Sequence, residues 1–276
     1  MVLDTIQEVH DSLNVAAEKG EDTSWILHHI LDSKEIFGLF TLPEIHLFGI
    51  DLTITNHVVF MWLAMIILGI IFSKVSRSYK KSLVPKGLTN LMEIFIIFVR
   101  DDIVKPTIGK GYEKFLPYLL TVFFFILTCN FLGLIPGGAT ATSNISVTAT
   151  LATISFVVIQ AGGIMKNGFF GYFKGLMPHG LPTWLLPIMF VVEVLGLFTK
   201  PFALAIRLFA NMSAGHIVIL ALLGLIFILK TYFVIPVSIG FALFIYLLEI
   251  LVALIQAYIF TMLSSLFIGM AVHQDH

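Results

Sequence analysis

Residues 184–229 read WLLPIMFVVEVLGLFTKPFALAIRLFANMSAGHIVILALLGLIFIL. In this whole run only Glu193, Lys200 and Arg207 carry formal charge. About 20 apolar residues already cross a bilayer as a helix. As one helix the run reaches about 69 Å, against a hydrocarbon core of ~30 Å. It must therefore tilt, bend, or lie partly in the membrane plane. A second overlong run follows at 235–271 and reaches about 55 Å. Pro187, Pro201 and Pro236 are the expected bend points.

Composition agrees with a chain solvated by lipid. Hydrophobic residues make up 58% and charged residues 12%, with a mean hydropathy of +0.98. Soluble domains carry roughly 25% charged residues. A water-soluble core cannot absorb that excess, so apolar surface must face lipid. The single cysteine, Cys129, lies in an apolar run and supports neither a disulfide framework nor a cysteine metal site. A net charge of −1 with no basic stripe gives no reason to expect nucleic acid. Residues 1–54 lack the basic start and apolar core of a secretory signal.

Three shorter spans precede the long runs: 55–73, 115–135 and 146–165. Asn56 is placed to cap the first. The second stops at Pro136-Gly137-Gly138, a strong helix terminator. Between them, Leu88–Val104 reads LTNLMEIFIIFVRDDIV. Asn90 followed by Glu93 has the form of a capping box. Glu93 and Arg100 are seven apart and share a face, which suggests a helix on the membrane surface. A sixth span is the alternative. The expected fold is all-α and integral to the membrane. It has about five spanning helices and one interfacial amphipathic helix, with the last two helices long and strongly tilted. Residues 1–54 form a separate acidic segment and 55–276 the membrane domain.

Charge asymmetry sets the expected orientation. Residues 1–54 hold ten acidic side chains and two basic ones, Lys19 and Lys34. Residues 73–114 hold nine basic ones. Basic loops stay cytoplasmic, so the N-terminus is expected outside. Five spans then leave the C-terminus inside.

The ionisable groups at membrane depth point to function. Such groups cost a few kcal/mol each near a helix centre. At 100° per residue, Glu193, Lys200, Arg207 and Asn211 fall within about 40° of one another on one helix face. His216 lies nine residues beyond Arg207, on another face. On the second long run, Glu249 and Gln256 share a face. If Gln256 is level with Arg207, then Glu249 and His216 fall at similar depth on the outer side and Glu193 on the inner. Lys200 has a simpler account, snorkelling to the interface. A buried, neutral, hydrogen-bonded acid would account for Glu193, and a satisfied core histidine for His216. His57, at the edge of the first span, is expected at the interface. The remaining histidines lie outside the spans, so bis-His haem ligation within the bilayer lacks ligands.

This set suits ion translocation. Imidazole exchanges protons near neutral pH, and a carboxyl beside it would titrate with it as a pair. Arginine does not deprotonate in proteins. Arg207 therefore acts as a barrier or as a partner for a carboxylate, not as a relay. No phosphate-cradling glycine loop ending in Gly-Lys is present.

Three motifs carry a family resemblance. They are Asn130-Phe131-Leu132-Gly133-Leu134-Ile135-Pro136; the run Arg207-Leu208-Phe209-Ala210-Asn211 with Gly215-His216; and Glu249 with Ile255-Gln256-Ala257-Tyr258-Ile259-Phe260. In order and spacing they resemble subunit a of F-type ATP synthases, over about residues 85–271. The resemblance implies a stator subunit without a catalytic site of its own, set against a ring of c subunits and held with b subunits and the rest of the complex. Arg207 matches the family's essential arginine, facing each passing c-ring carboxylate. Gln256 matches the glutamine near it. Asn211, His216 and Glu249 match the outer aqueous path and Glu193 the inner one. In some relatives the acid and the histidine of the outer pair are exchanged, which suggests that His216 and Glu249 touch. No cofactor or metal is implied. A bacterial plasma membrane is the expected location. A transporter or channel acting alone, or a membrane scaffold, are the competing readings. No clear inverted repeat favours the transporter.

Overall fold

The computed structural model describes residues 55–81, 86–135, 138, 140–175, 186–229 and 231–273, and backbone pairings at 35–36, 40–41, 46–47 and 50–51. These pairings are two short antiparallel ladders: β1 (Glu35–Ile36) with β2 (Phe40–Thr41), and β3 (His46–Leu47) with β4 (Ile50–Asp51). The rest of the acidic segment 1–54 lies outside the described residues, as do Pro136 and Gly137.

From residue 55 onward the described chain is helical. In order come α1 (Asn56–Lys81), α2 (Leu88–Ile97), a π-helical segment (Phe98–Val104) and α3 (Lys105–Ile108). Then follow α4 (Leu116–Gly133), α5 (Ile145–Asn167), α6 (Phe169–Gly175), α7 (Leu186–Leu229) and α8 (Val234–Val272). Among the described residues five helices are long and apolar enough to cross a membrane: α1, α4, α5, α7 and α8. The chain is a multi-pass membrane protein.

The two long runs fold as unbroken helices of 44 and 39 residues. Of the three expected bend points, Pro201 alone sits in a helix interior. Pro187 and Pro236 fall in first turns, where a missing backbone N–H leaves no bond unmade, so they are not bend points. At about 66 Å and 58 Å neither helix stands upright within a ~30 Å core.

Several local expectations change. Asn56 is the first residue of α1, and its buried Oδ1 has no hydrogen-bond partner, so it does not cap the helix. The capping box at Asn90 and Glu93 is absent. The cap is Gly87, at φ 57°, which starts the helix earlier and leaves Asn90 in its first turn. Arg100 binds its neighbour Asp101 through two bonds of 3.0 and 2.8 Å. His57 is buried at 7% exposure, and its Nδ1 meets the Thr140 carbonyl at 3.0 Å.

The chain forms two compact units. One comprises His57–Met212 and Ile250–His276. Its core gathers Val99, Ile103, Val104 and Ile108 with Phe123, Phe124, Leu204, Leu208 and Phe260. The segment 88–108 thus packs one side against the helices of this unit. Asn167 donates to the Ala271 carbonyl at 3.0 Å, and the hydroxyls of Thr107 and Ser265 bond, so the end of α8 is held by side-chain hydrogen bonds. The other unit comprises Met1–Asn56 and Ser213–Glu249. Besides the short ladders and Asn56, it holds the end of α7 from Ser213 and the start of α8 to Glu249. Between them the Thr231 hydroxyl donates to the Leu229 carbonyl at 2.8 Å.

Candidate functional site

The residues singled out for proton chemistry divide between the two units. In the first, Arg207 lies on an exposed stripe of α7 with Phe202, Ile206, Ala210 and Asn211. The opposite side, Leu204, Ala205, Leu208 and Met212, is buried. The spacing of three and four residues that makes α7 amphipathic thus aims the guanidinium away from the protein's own core. Among the described residues Arg207 has no ion pair or hydrogen bond.

Asn211, one turn on, donates from Nδ2 to Oε1 of Gln256 at 3.1 Å. Gln256 is 3% exposed and belongs to the buried side of α8, with Ala253, Ala257 and Phe260. The alanines keep α8 thin beside the amide. The glutamine expected near Arg207 therefore meets Asn211. Glu193 is half-buried on α7 and, among the described residues, has no polar partner. Lys200 is also half-buried, and its Nζ stands 5.2 Å from the ring centre of Phe267. That contact gives Lys200 a structural partner, an aromatic face on which its cation rests.

In the second unit, His216 Nδ1 lies 2.6 Å from Glu249 Oε1. The Glu249 side chain is 3% exposed and that of His216 28%. An isolated buried carboxylate is costly unless paired and hydrogen-bonded; here the imidazole supplies the partner. Gly215 makes the approach possible. A Cβ there would stand 2.5 Å from Glu249 Oε1. Sequence spacing gave no role to Gly215; the adjacent small residues Ala214 and Gly215 before a histidine were the available signal.

The chemical capacities differ. The His216–Glu249 pair can hold and pass a proton. Arg207 supplies a permanent positive charge to whatever lies outside the chain. Asn211 and Gln256 can orient groups but not titrate. Among the described residues no group of three metal-binding side chains is present.

Comparison with known proteins agrees with the motifs. Residues 58–269 match the family described as ATP synthase A chain. The "ATP synthase subunit a" of Chloroherpeton thalassium is 56% identical over 259 residues, 91% of this chain and 77% of that protein. The "ATP synthase subunit a 2" of Chlorobaculum tepidum is 55% identical over 269 residues, 94% of this chain and 76% of that one. The "ATP synthase subunit a 2" of Prosthecochloris aestuarii is 51% identical over 281 residues, 98% and 86% of the two chains.

Proposed function

The chain belongs to the ATP synthase A chain family and is a proton-translocating subunit of the synthase membrane sector; we propose that it works through two offset half-paths separated by Arg207. The observation that carries this reading is Arg207 itself. It is a charged, exposed side chain on a spanning helix with no partner among the described residues. A lone guanidinium facing lipid is expensive. A carboxylate brought from another subunit removes that cost, and a ring of c subunits brings one with each step.

The steps then follow from the side chains. A proton enters from the outer side and reaches Glu249 through His216. It passes to an ionised c-ring carboxylate, which becomes neutral and turns into lipid. Neutrality is what makes lipid accessible to it. A protonated carboxyl arriving on the inner side releases its proton past Glu193. The carboxylate so formed meets Arg207, whose fixed charge blocks a direct proton leak between the half-paths. The hydrogen bond between Asn211 and Gln256 supports this region of α7 and α8. The chain needs no catalytic site of its own; torque serves a head built from other subunits.

The same reading places the N-terminus outside and the C-terminus in the cytoplasm, because the basic residues concentrate in 73–114. The membrane is the plasma membrane of a bacterium, and b subunits of the peripheral stalk hold the chain against rotation. The continuous helices α7 and α8 support this reading over a transporter acting alone, which uses broken helices at its binding site.

The test replaces Arg207 with Ala in the whole complex and measures ATP-driven proton pumping in vesicles. Pumping should be abolished while assembly persists. Coupled pumping at the parent rate overturns the proposal.

A further inference from the structure

The route above gives no part to the motif that opens at Asn130, although Asn130 is fully buried in a spanning helix. Buried polar groups at membrane depth are costly and usually functional. Asn130 lies in the last turn of α4. Its Nδ2 donates to the Ala253 carbonyl of α8 at 3.2 Å. Its Oδ1 accepts from the Thr142 hydroxyl at 2.6 Å. Thr142, also fully buried, sits in the 3₁₀ turn Ala141–Ser143. The Thr140 side chain beside that turn occupies the space a Cβ on Gly133 would need, so a glycine of the same motif seats the turn on α4. The Thr140 carbonyl in turn meets His57 of α1.

This brace answers a difficulty specific to α8. Lipid tails are as apolar as leucine, so hydrophobic burial does little to choose between positions of a spanning helix. The helix Val234–Val272 is strongly apolar, and its exposed Leu251, Ile255, Met262 and Leu266 form one apolar face. Polar bonds must fix how far it slides and turns. Ala253 is three residues before Gln256, whose carbonyl oxygen accepts from Asn211. A slip of one residue moves Gln256 about 1.5 Å along the axis and about 100° around it. That breaks a 3.1 Å bond.

We propose that Asn130 is a positioning residue: by gripping the Ala253 carbonyl it fixes the register of α8 and so holds Gln256 against Asn211, one turn from Arg207. The functional consequence rests on the reading of Arg207 given above; the geometric claim does not.

The test uses the whole complex in native membranes, with Cys129→Ala as background. Asn211→Cys with Gln256→Cys reports register through the yield of a short bifunctional thiol cross-link. Pumping is read separately in chains that keep Asn211 and Gln256. Asn130→Leu, nearly isosteric, should lower the cross-link yield several-fold and pumping per assembled complex about tenfold. Thr142→Val, which frees only the Asn130 carbonyl oxygen, should act in the same direction but less, and carries the test if Asn130→Leu does not assemble. An unchanged cross-link yield in these variants overturns the proposal. So does lost pumping with an unmoved cross-link and an altered pH profile, which would make Asn130 part of the proton route. A reduced cross-link with full pumping keeps the register claim and instead removes Asn211 and Gln256 from the path.

Discussion

His216 Nδ1 and Glu249 Oε1 lie 2.6 Å apart, and the carboxylate comes that close to α7 because residue 215 has no side chain. An acid, a base and a glycine therefore form one geometric unit. The glycine is as much a condition of the contact as its two partners.

Gly215→Ala tests that condition directly. The added methyl would stand 2.5 Å from Oε1, so Glu249 must withdraw. The atom displaced is the end of a flexible side chain, so the fold should survive. The hydrogen bond should not. Losing a charge-assisted bond of about 1.5–3 kcal/mol predicts roughly a tenfold or greater fall in proton conduction. Passive conduction through the membrane sector, normalised to assembled complex, is the measurement. Conduction at the parent rate would mean the contact is dispensable.

His216→Gln keeps a polar side chain of similar reach but cannot exchange protons as an imidazole does. Conduction should fall, and its dependence on outer pH should change shape rather than merely scale. The readout is the initial rate of proton uptake at a series of outer pH values. A profile that scales without changing shape removes His216 from the relay.

Much of this was open to reading along the chain. The five spans, the two overlong helices and the face shared by Arg207 and Asn211 follow from hydropathy and a period of 3.6 residues. Spacing along one helix cannot say what packs against it. That is why neither the bond between Asn211 and Gln256 nor the burial of His57 against Thr140 could be read from the chain. The close approach at Gly215 and the reach of Asn130 to Ala253 depend on helices far apart in sequence, and no local pattern encodes them. The segment does begin at Leu88 as expected, but its cap is Gly87, with a positive φ, and Asn90 lies inside the first turn.

Asn211→Leu and Gln256→Leu should prove non-additive. Each alone leaves its former partner without its hydrogen bond, and for the buried Gln256 that costs about 1–3 kcal/mol. The double variant leaves no orphan. Pumping per complex should therefore be no lower in the double variant than in Asn211→Leu. A double variant that loses the product of the two single effects would show that the residues act independently.

The Arg100–Asp101 pair makes a contrasting prediction about stability. Hydrogen bonding to the Arg100 guanidinium holds the Asp101 carboxyl below the usual carboxylate range. A lowered pKa contributes stability that is present above the unfolded value and is lost as pH falls through the folded one. Any contribution therefore persists at neutral pH and disappears only in acid below about pH 4. The pair is well exposed, at 41% and 37%, so screening keeps it small. Asp101→Asn should leave thermal unfolding of the complex nearly unchanged at neutral pH and indistinguishable from the parent in acid. A large neutral-pH loss would show that the carboxylate supports the π-helical segment beyond its ion pair.

Lys200 and Arg207 share a face of α7 seven residues apart, and their surroundings assign them different fates. Lys200 has Phe267 beneath its ammonium, a contact of about 0.5–1 kcal/mol that stabilises a cation in place. Arg207 is left exposed without a partner among the described residues. Lys200→Gln should then keep coupled pumping within about fivefold of the parent, the change that a lost contact of that size corresponds to. Arg207→Gln should abolish it, because the amide is neutral and neither attracts a ring carboxylate nor blocks a leak. A Lys200→Gln variant as inactive as Arg207→Gln would mean that the separating charge is shared along α7 and does not reside at Arg207 alone.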